Sequence, residues 1–384
     1  MDINLPVTLR RSHPVDINLP VILRRFRPVD FEPHPGHEFR YLTRADVVEA
    51  ARGVDVVGAV AEALVLHGQG RTVLPEEAYL GWTTPGGAAA RCLAMPGALT
   101  GGPRPVIGLK TINASLANPD RGIPRSQGFT LLLDPDTARP LALMEAAYVS
   151  AMRTAAVTAL AARHLAVASP RSLALIGCGT LARAHAALLL DTVPTLEEIR
   201  VYDIAPDRAR SLLGFVAGLP RGAHVAAKAA ESARACVAGA DLVVPVTTVT
   251  EGYIPPGWLE PGALVAHVSL DDLTEEAVLT ADLLVVDDWS LVRDDPRRLL
   301  GRMHRAGSLL GPHGEPWPGA PPRPRARKVD ASLADIVTGR HPGRRRESDI
   351  VVSNPFGMAI LDVAVAARVH AEAESRDIGR LLGI

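Results

Sequence analysis

The 384-residue chain is predicted to be an α/β protein built on a doubly wound parallel sheet, and three observations predict it. Residues 173–176, Leu-Ala-Leu-Ile, break into the turn Gly177-x-Gly179-x-x-Ala182 and then into an alanine-rich helix. A second apolar run, Val201-Tyr202, ends in Asp203, 26 residues after Gly177. Beyond it, apolar runs at 241–246, 263–268 and 283–287 alternate with helical stretches that include 206–219 and 229–238. Short continuous runs bounded by Gly, Asp or Pro are those of parallel strands buried on both faces, and their alternation with helices makes the sheet doubly wound.

The first of these features is a dinucleotide cradle of Rossmann type. Gly177 allows the tight turn, Gly179 lets a pyrophosphate approach the backbone, and Ala182 lets the helix pack closely on its strand. The helix start through Thr180 and Leu181 offers free N–H groups to phosphate. Asp203 stands near the spacing of a carboxylate that binds the adenosine ribose, which points to NAD rather than NADP.

The segments before the cradle spell a different architecture. Residues 2–11 recur at 16–25 with only Thr8 changed to Ile22, too short and Pro-rich a repeat for a solenoid, so residues 1–38 are expected to be a disordered leader. The folded chain is expected to begin near Phe39, where Thr43-x-x-Asp46 forms a capping box opening a helix. Helical spacing at 56–66 ends at Gly68-x-Gly70. Apolar segments at 92–95, 106–110 and 129–133 read as strands of an α+β layer, with a hairpin through Asp134-Pro-Asp-Thr-Ala-Arg-Pro140 joining 129–133 to 141–144. Residues 307–328, rich in Gly, Pro and Arg, read as a long exposed loop. Residues 360–382 read as a final helix.

Composition excludes more than it identifies. A net charge of -1 and a pI near 6.9 give no electrostatic reason to expect nucleic acid or membrane as partner. Cys92, Cys178 and Cys236 are odd in number and lack metal spacing, and no metal site is expected from the scattered histidines. No run approaches the roughly 20 apolar residues of a membrane span, no signal peptide is legible at the start, and a cytoplasmic protein is expected. A Gly-x-Ser-x-Gly elbow and a P-loop are absent from the sequence. His185 reads as a packing or surface histidine, and Arg344-Arg345-Arg346 as a solvated turn.

Gly108-Leu-Lys110, Gly122-Ile-Pro124, Leu133-Asp134, Pro140-Leu-Ala-Leu-Met144, Arg153-Thr-Ala-Ala156, Ile176-Gly-Cys-Gly179, Gly239-Ala-Asp241 and Trp258-Leu-x-Pro-Gly262 follow one another in this order. In that order and spacing the chain, from about residue 41 onward, resembles the ornithine cyclodeaminase and mu-crystallin family. Ser150-Ala-Met-Arg153, Asp287-Asp-Trp289 and Asn354-Pro-Phe-Gly-Met-Ala359 are most similar to a branch that carries a tyramine oxidase label, which establishes no activity. The resemblance implies a homodimer with a discontinuous substrate and dimerisation domain. That domain takes residues 39–153 and, through the returning C-terminal segment, 346–384; the NAD domain takes 154–345.

The resemblance also implies site residues. Lys110 matches the lysine that faces the substrate carboxylate, and Arg153, placed where a helix begins, matches the arginine that clamps it. Two cations of different geometry suit one carboxylate. Asp271 matches the catalytic aspartate at the carboxyl edge of the sheet, with Asp272 as its competitor for the role. Thr247, Thr248 and Gly357 match positions beside the cofactor. The chain departs from the pattern at Pro75-Glu76-Glu77, where the family carries a basic residue. Two readings are open there: Arg91 supplies the charge, or Glu77 meets an amine of the substrate.

The function implied is that of an NAD-dependent enzyme that oxidises the Cα–N bond of an amino acid to an imine, followed by cyclisation and deamination as in ornithine cyclodeaminase, or by release. The alternatives are an imine reductase or N-substituted amino acid dehydrogenase, and a non-catalytic nucleotide-dependent carrier or accessory protein.

Overall fold

The computed structural model describes residues 37–321 and 323–383; the repeat at 2–25 lies outside them. The first part of the chain runs β1 (Glu38–Leu42), α1 (Arg44–Ala51), α2 (Val56–Gly68), β2 (Thr72–Val73), β3 (Ala78–Thr83), β4 (Ala89–Leu99), β5 (Val106–Ser115), β6 (Ser126–Leu133), β7 (Pro140–Glu145) and α3 (Ala146–Leu165). Next come β8 (Ser172–Ile176), α4 (Thr180–Thr192), β9 (Glu198–Tyr202), α5 (Pro206–Ala217), β10 (Ala226–Ala229), α6 (Ala233–Val237), β11 (Leu242–Pro245), β12 (Leu264–Ala266), α7 (Glu275–Thr280) and β13 (Leu283–Val286). The chain finishes with α8 (Trp289–Asp294), α9 (Leu299–Arg305), β14 (Leu309–Leu310), β15 (Arg327–Lys328), β16 (Ala331–Ser332), α10 (Leu333–Val337), β17 (Val351–Asn354), α11 (Ala359–Ser375) and β18 (Arg380–Gly383).

Two large sheets organise these elements. The second, in the order β10-β9-β8-β11-β12-β17-β13-β16, is parallel throughout, and β8, β11, β12, β13 and β17 are buried along their whole length. This is the Rossmann-type sheet the apolar runs predict. Strand order reverses between β8 and β11, the crevice where such sheets bind ligands.

The first sheet runs β18-β1-β7-β6-β5-β4-β2, with β3 also paired to β4. Its inner face packs against α2, α3 and the returning α11, whose Ile360, Leu361, Val363, Val365, Ala366 and Val369 are buried. The alanines of α3 let it approach both the first sheet and α4 closely. The predicted hairpin forms, its turn held by Asp134, which accepts bonds from Asp136 N, Thr137 N and Thr137 Oγ1. The capping box of Thr43 and Asp46 also forms.

Five local expectations are corrected. Residues 226–229 are an edge strand, and the helix expected at 229–238 covers only 233–237, capped by Ser232. The final helix stops at Ser375, because the chain turns through Asp377 and Gly379 at positive φ and then adds β18 to the sheet edge beside β1. A Cβ on Gly379 would lie 2.7 Å from Tyr41 O, so only glycine fits there. Arg153 sits in the interior of α3, well past the helix start. The 307–328 loop is pinned: β14 pairs with β15, and Trp317 meets the His304 ring edge-on at 5.6 Å with the Arg305 guanidinium stacked on it at 4.1 Å. Arg344 is structural, donating to Leu165 O, Glu347 O and Gly262 O.

His185 is buried, its Nε2 3.0 Å from Thr158 Oγ1 and its Nδ1 2.7 Å from Leu181 O, and burial pushes its pKa down to about 4. It ties α4 to α3 as a neutral packing group. Among the described residues, no helix is long and apolar enough to cross a membrane.

Candidate active site

The glycine turn closes β8 onto α4 at the point where strand order reverses. Gly177 has φ +88°, and a Cβ on it would stand 2.9 Å from Val246 O, so the turn requires glycine. No atom lies within 4 Å of where a Gly179 Cβ would be, and Gly179 caps α4 with no side-chain bond. The first-turn N–H groups therefore remain open toward the crevice, as an anion cradle needs. Thr180 and Leu181 begin the helix and Ala182 is buried beneath it. Asp203, just past β9, accepts from Cys178 N at 2.8 Å and from Ala205 N at 2.9 Å, which fixes its carboxylate beside the turn.

Lys110 and Arg153 meet on a residue that the sequence pattern does not single out. Lys110 Nζ donates to Asp362 Oδ2 at 2.7 Å and Arg153 Nε donates to Asp362 Oδ1 at 3.0 Å, with Asp362 and Lys110 0% and 1% exposed. The partner expected for both cations is the substrate carboxylate. The structure supplies an internal one from α11, because two buried cations without a counter-charge cannot be held out of water. The available signal was an acid inside the apolar helical run 359–367. Burial pushes Lys110 down to about 8, against the opposing pull of Asp362. One of its three N–H groups remains after Asp362 and a 3.4 Å contact to Ser150 Oγ, and both Nη nitrogens of Arg153 remain without a hydrogen bond to a described residue.

Gly357 brings the backbone at the carboxyl end of β17 to these cations. It follows β17 at the same carboxyl edge as the glycine turn, and a Cβ there would lie 2.7 Å from Arg153 Nη1. Its φ of +97° is held from two sides. Asp287 accepts from Phe356 N at 2.8 Å and Gly357 N at 2.7 Å, while Arg298 donates to Pro355 O and Phe356 O and stacks on the Phe356 ring. Burial raises the Asp287 pKa, and these N–H bonds oppose the rise.

The two candidate aspartates divide. Asp271 is buried and paired with Arg302 of α9. Asp272 accepts from Thr247 Oγ1 at 2.6 Å, Tyr253 OH at 2.9 Å and Ser269 Oγ, so its oxygens are committed to the protein. Thr247 is thereby turned toward Asp272, while Thr248 is exposed. His267, driven down to about 3 by burial, is a neutral ring whose Nε2 accepts from Asp272 N at 3.1 Å.

Glu77 lies among the same cations, and Arg91 shares its face of the sheet four residues along β4 from the Lys110 register. Strand register sets Arg91, Leu93 and Met95 of β4 on one face with Lys110 of β5 and with Tyr79 of β3, and Glu77 continues that face. Burial raises the Glu77 pKa, opposed by the charges of Lys110, Arg298 and Arg153. Arg297 stacks on the Tyr79 ring at 4.3 Å and pairs with Asp295.

The family model described as ornithine cyclodeaminase/mu-crystallin matches residues 38–377. A Staphylococcus aureus protein named N-((2S)-2-amino-2-carboxyethyl)-L-glutamate dehydrogenase is 32% identical, over 90% of this chain and 99% of that protein. The solved structure of CmnK is 40% identical with a TM-score of 0.81, covering 90% of this chain and 98% of its own. An archaeal alanine dehydrogenase dimer with bound NAD is 25% identical with a TM-score of 0.74, covering 90% and 99%. Among these and further relatives are NAD-dependent dehydrogenases and reductases of amino acids.

Proposed function

The chain belongs to the ornithine cyclodeaminase/mu-crystallin family, and from that premise we propose that it is an NAD-dependent dehydrogenase that oxidises the Cα–N bond of an amino acid whose nitrogen carries a second substituent. The observation that carries this reading is the convergence of Lys110, Arg153 and Gly357 at the carboxyl edge that also bears the Gly177 turn. Two features favour it over ornithine cyclisation. Glu77, in place of the family's basic residue, puts a carboxylate among the cations, and the relative that matches along 99% of its length acts on an N-substituted glutamate.

The residues fit NAD. Space is open where a Cβ at position 179 would stand, and α4 opens without a side-chain cap, so Gly177, Gly179, Thr180, Leu181 and Ala182 would hold the pyrophosphate and Asp203 the adenosine ribose. Thr247, Thr248 and Gly357 would border the nicotinamide. NAD, when bound, supplies the acceptor for the Cα hydride. The free N–H groups of Arg153 and Lys110 orient the substrate carboxylate, and Glu77 faces the amine. The amine proton goes to Asp271 as the C=N bond forms. Water added to that carbon then breaks the C–N bond, releasing a 2-oxo acid and a primary amine.

In this reading residues 39–153 and the returning segment 359–383 form the substrate domain and 154–354 the NAD domain, the boundary expected at 345 moving past β17 because that strand lies between β12 and β13 of the parallel sheet. The outer face of β3–β6 exposes Leu80 (63%), Trp82 (45%) and Phe129 (45%), an apolar surface suited to a second copy of the chain, and the archaeal relative is a dimer.

The test offers the purified protein NAD with ornithine, alanine and a set of N-(carboxyalkyl) amino acids, wild type beside Lys110→Ala. NADH formed with an N-substituted substrate and lost in the variant is expected. Ammonia from ornithine without net NADH would establish a cyclodeaminase instead, and tight NAD binding with no turnover a carrier.

A further inference from the structure

Asp271 keeps half of its carboxylate free. Oδ1 accepts from Arg302 Nη2, whereas Oδ2 has no hydrogen-bond partner among the described residues and remains open to solvent, although the residue as a whole is only 5% exposed. Its neighbour Asp272 is committed on both oxygens, to Thr247, Tyr253 and Ser269. A carboxylate taken this far out of water needs a facing cation to stay charged, and a neutral acid accepts no proton. Among the described residues, Arg302 is the one cation paired with Asp271.

The backbone is shaped to bring that guanidinium in. A Cβ on Gly301 would run into Asp295 O and stand 2.8 Å from Val292 O, so glycine is what lets α9 settle on the turn after α8. Arg302 comes next in the chain. Its Nη1 donates to Arg297 O at 2.7 Å, which orients the guanidinium as Nη2 meets Asp271. The same turn carries Arg297, stacked on Tyr79 of β3, and Arg298, which holds the Pro355 and Phe356 carbonyls ahead of Gly357. Residues 297–302 therefore touch the first sheet, the loop that borders Arg153, and Asp271. The Arg302 side chain is 44% exposed, and a pair so open to water does little to hold the fold together.

We infer that Arg302 is a positioning residue for the base: it holds Asp271 Oδ1 and supplies its counter-charge, which leaves Oδ2 to take the amine proton. That proton moves as the Cα hydride leaves for NAD and the C=N bond forms. The inference rests on the dehydrogenase reading and on Asp271 as its base.

The experiment measures steady-state kinetics, NADH affinity and melting for wild type, Arg302→Gln, Arg302→Lys, Asp271→Asn and the double variant Asp271→Asn/Arg302→Gln. Arg302→Gln should lower kcat at least about tenfold, part of the roughly 10²–10⁴-fold that a positioned base supplies, while substrate KM and NADH affinity stay within about twofold. It should melt within about 3 °C of wild type, as the loss of an exposed pair does. Arg302→Lys should recover part of kcat. The double variant should be no slower than Asp271→Asn, because Arg302 acts only through that carboxylate, whereas a merely structural role would multiply the two losses. Wild-type kcat in Arg302→Gln, a loss confined to KM, or losses that multiply overturns the inference. Full activity in Asp271→Asn overturns it too, together with the base assignment, and leaves the NAD-dependent reaction standing. Ammonia from ornithine without net NADH sinks the dehydrogenase reading alone, since the same comparison of variants, followed as ammonia release, still decides Arg302. A wild type that turns over nothing sinks both.

Discussion

Replacing Asp362 with asparagine keeps the volume of the side chain and removes the one charge that compensates Lys110 and Arg153. Both cations are bonded to it, at 2.7 and 3.0 Å, in a setting where Asp362 is 0% exposed. Breaking a buried pair by removing one partner costs about 3–5 kcal/mol, since the remaining charges stay buried. At roughly 2 °C per kcal/mol for a chain of this size, Tm should fall by about 6–10 °C. A second readout separates this from ordinary core damage. Burial already holds Lys110 at about 8, and Asp362 is the main force opposing that fall. Without it the ammonium loses its proton at lower pH, so the Lys110 limb of the kcat/KM profile should move to lower pH while NADH affinity holds. The sign of the stability effect in wild type follows too. A lysine depressed from 10.5 to about 8 releases its proton from the folded state first, so stability should rise with pH across that window. A variant that melts within a degree of wild type and keeps its pH limb would refute the view that Asp362 anchors the two cations.

Gly357→Ala puts a methyl 2.7 Å from Arg153 Nη1 at a φ of +97°, so substrate KM should rise at least about tenfold with a stability loss of about 1–3 kcal/mol, measured by steady-state kinetics and melting. Gly177→Ala, whose Cβ would meet the Val246 backbone, should instead weaken NADH binding, read by its fluorescence. His67 Nε2 bonds Asp288 Oδ2 at 3.0 Å, joining α2 to the start of α8; burial raises the Asp288 pKa, but bonds from His67, Ser290 and Leu291 outweigh it and hold it at about 2. Its contribution is complete above the ordinary value of 3.8 and is lost as pH falls through about 2, and His67→Ala should flatten that acid limb of the melting curve. Trp317→Ala removes the contact that pins 307–328, and limited proteolysis should then cut within that loop while the wild type resists.

The parallel sheet was legible because strands buried on both faces must be apolar throughout, and the runs ending in Ile176 and Val286 carry no competing pattern, while β9 alternates Glu198 and Arg200 with buried Ile199 and Val201. The edges were less so. Ala226–Ala229 is fully exposed and alanine-rich, so nothing in its side chains opposes a helix, and only pairing with β9 makes it a strand. The C-terminal strand hid for a related reason, since the stop is set by backbone sign at Asp377 and Gly379 rather than by a change in hydropathy. At the site, the order of motifs brought forward Lys110, Arg153, Asp271 and Gly357, each within or beside a recognisable segment. It did not bring forward Asp362, 252 residues from the lysine it holds. A buried counter-charge is a requirement of electrostatics and not of local pattern, so any apolar helix passing the cations could have supplied it. That α11 does so has a consequence for the chemistry. The helix that returns to the first sheet begins directly after Gly357, so the same short segment sets the glycine that borders Arg153 and the carboxylate that pairs with Lys110 and Arg153, and a shift in one cannot leave the other in place.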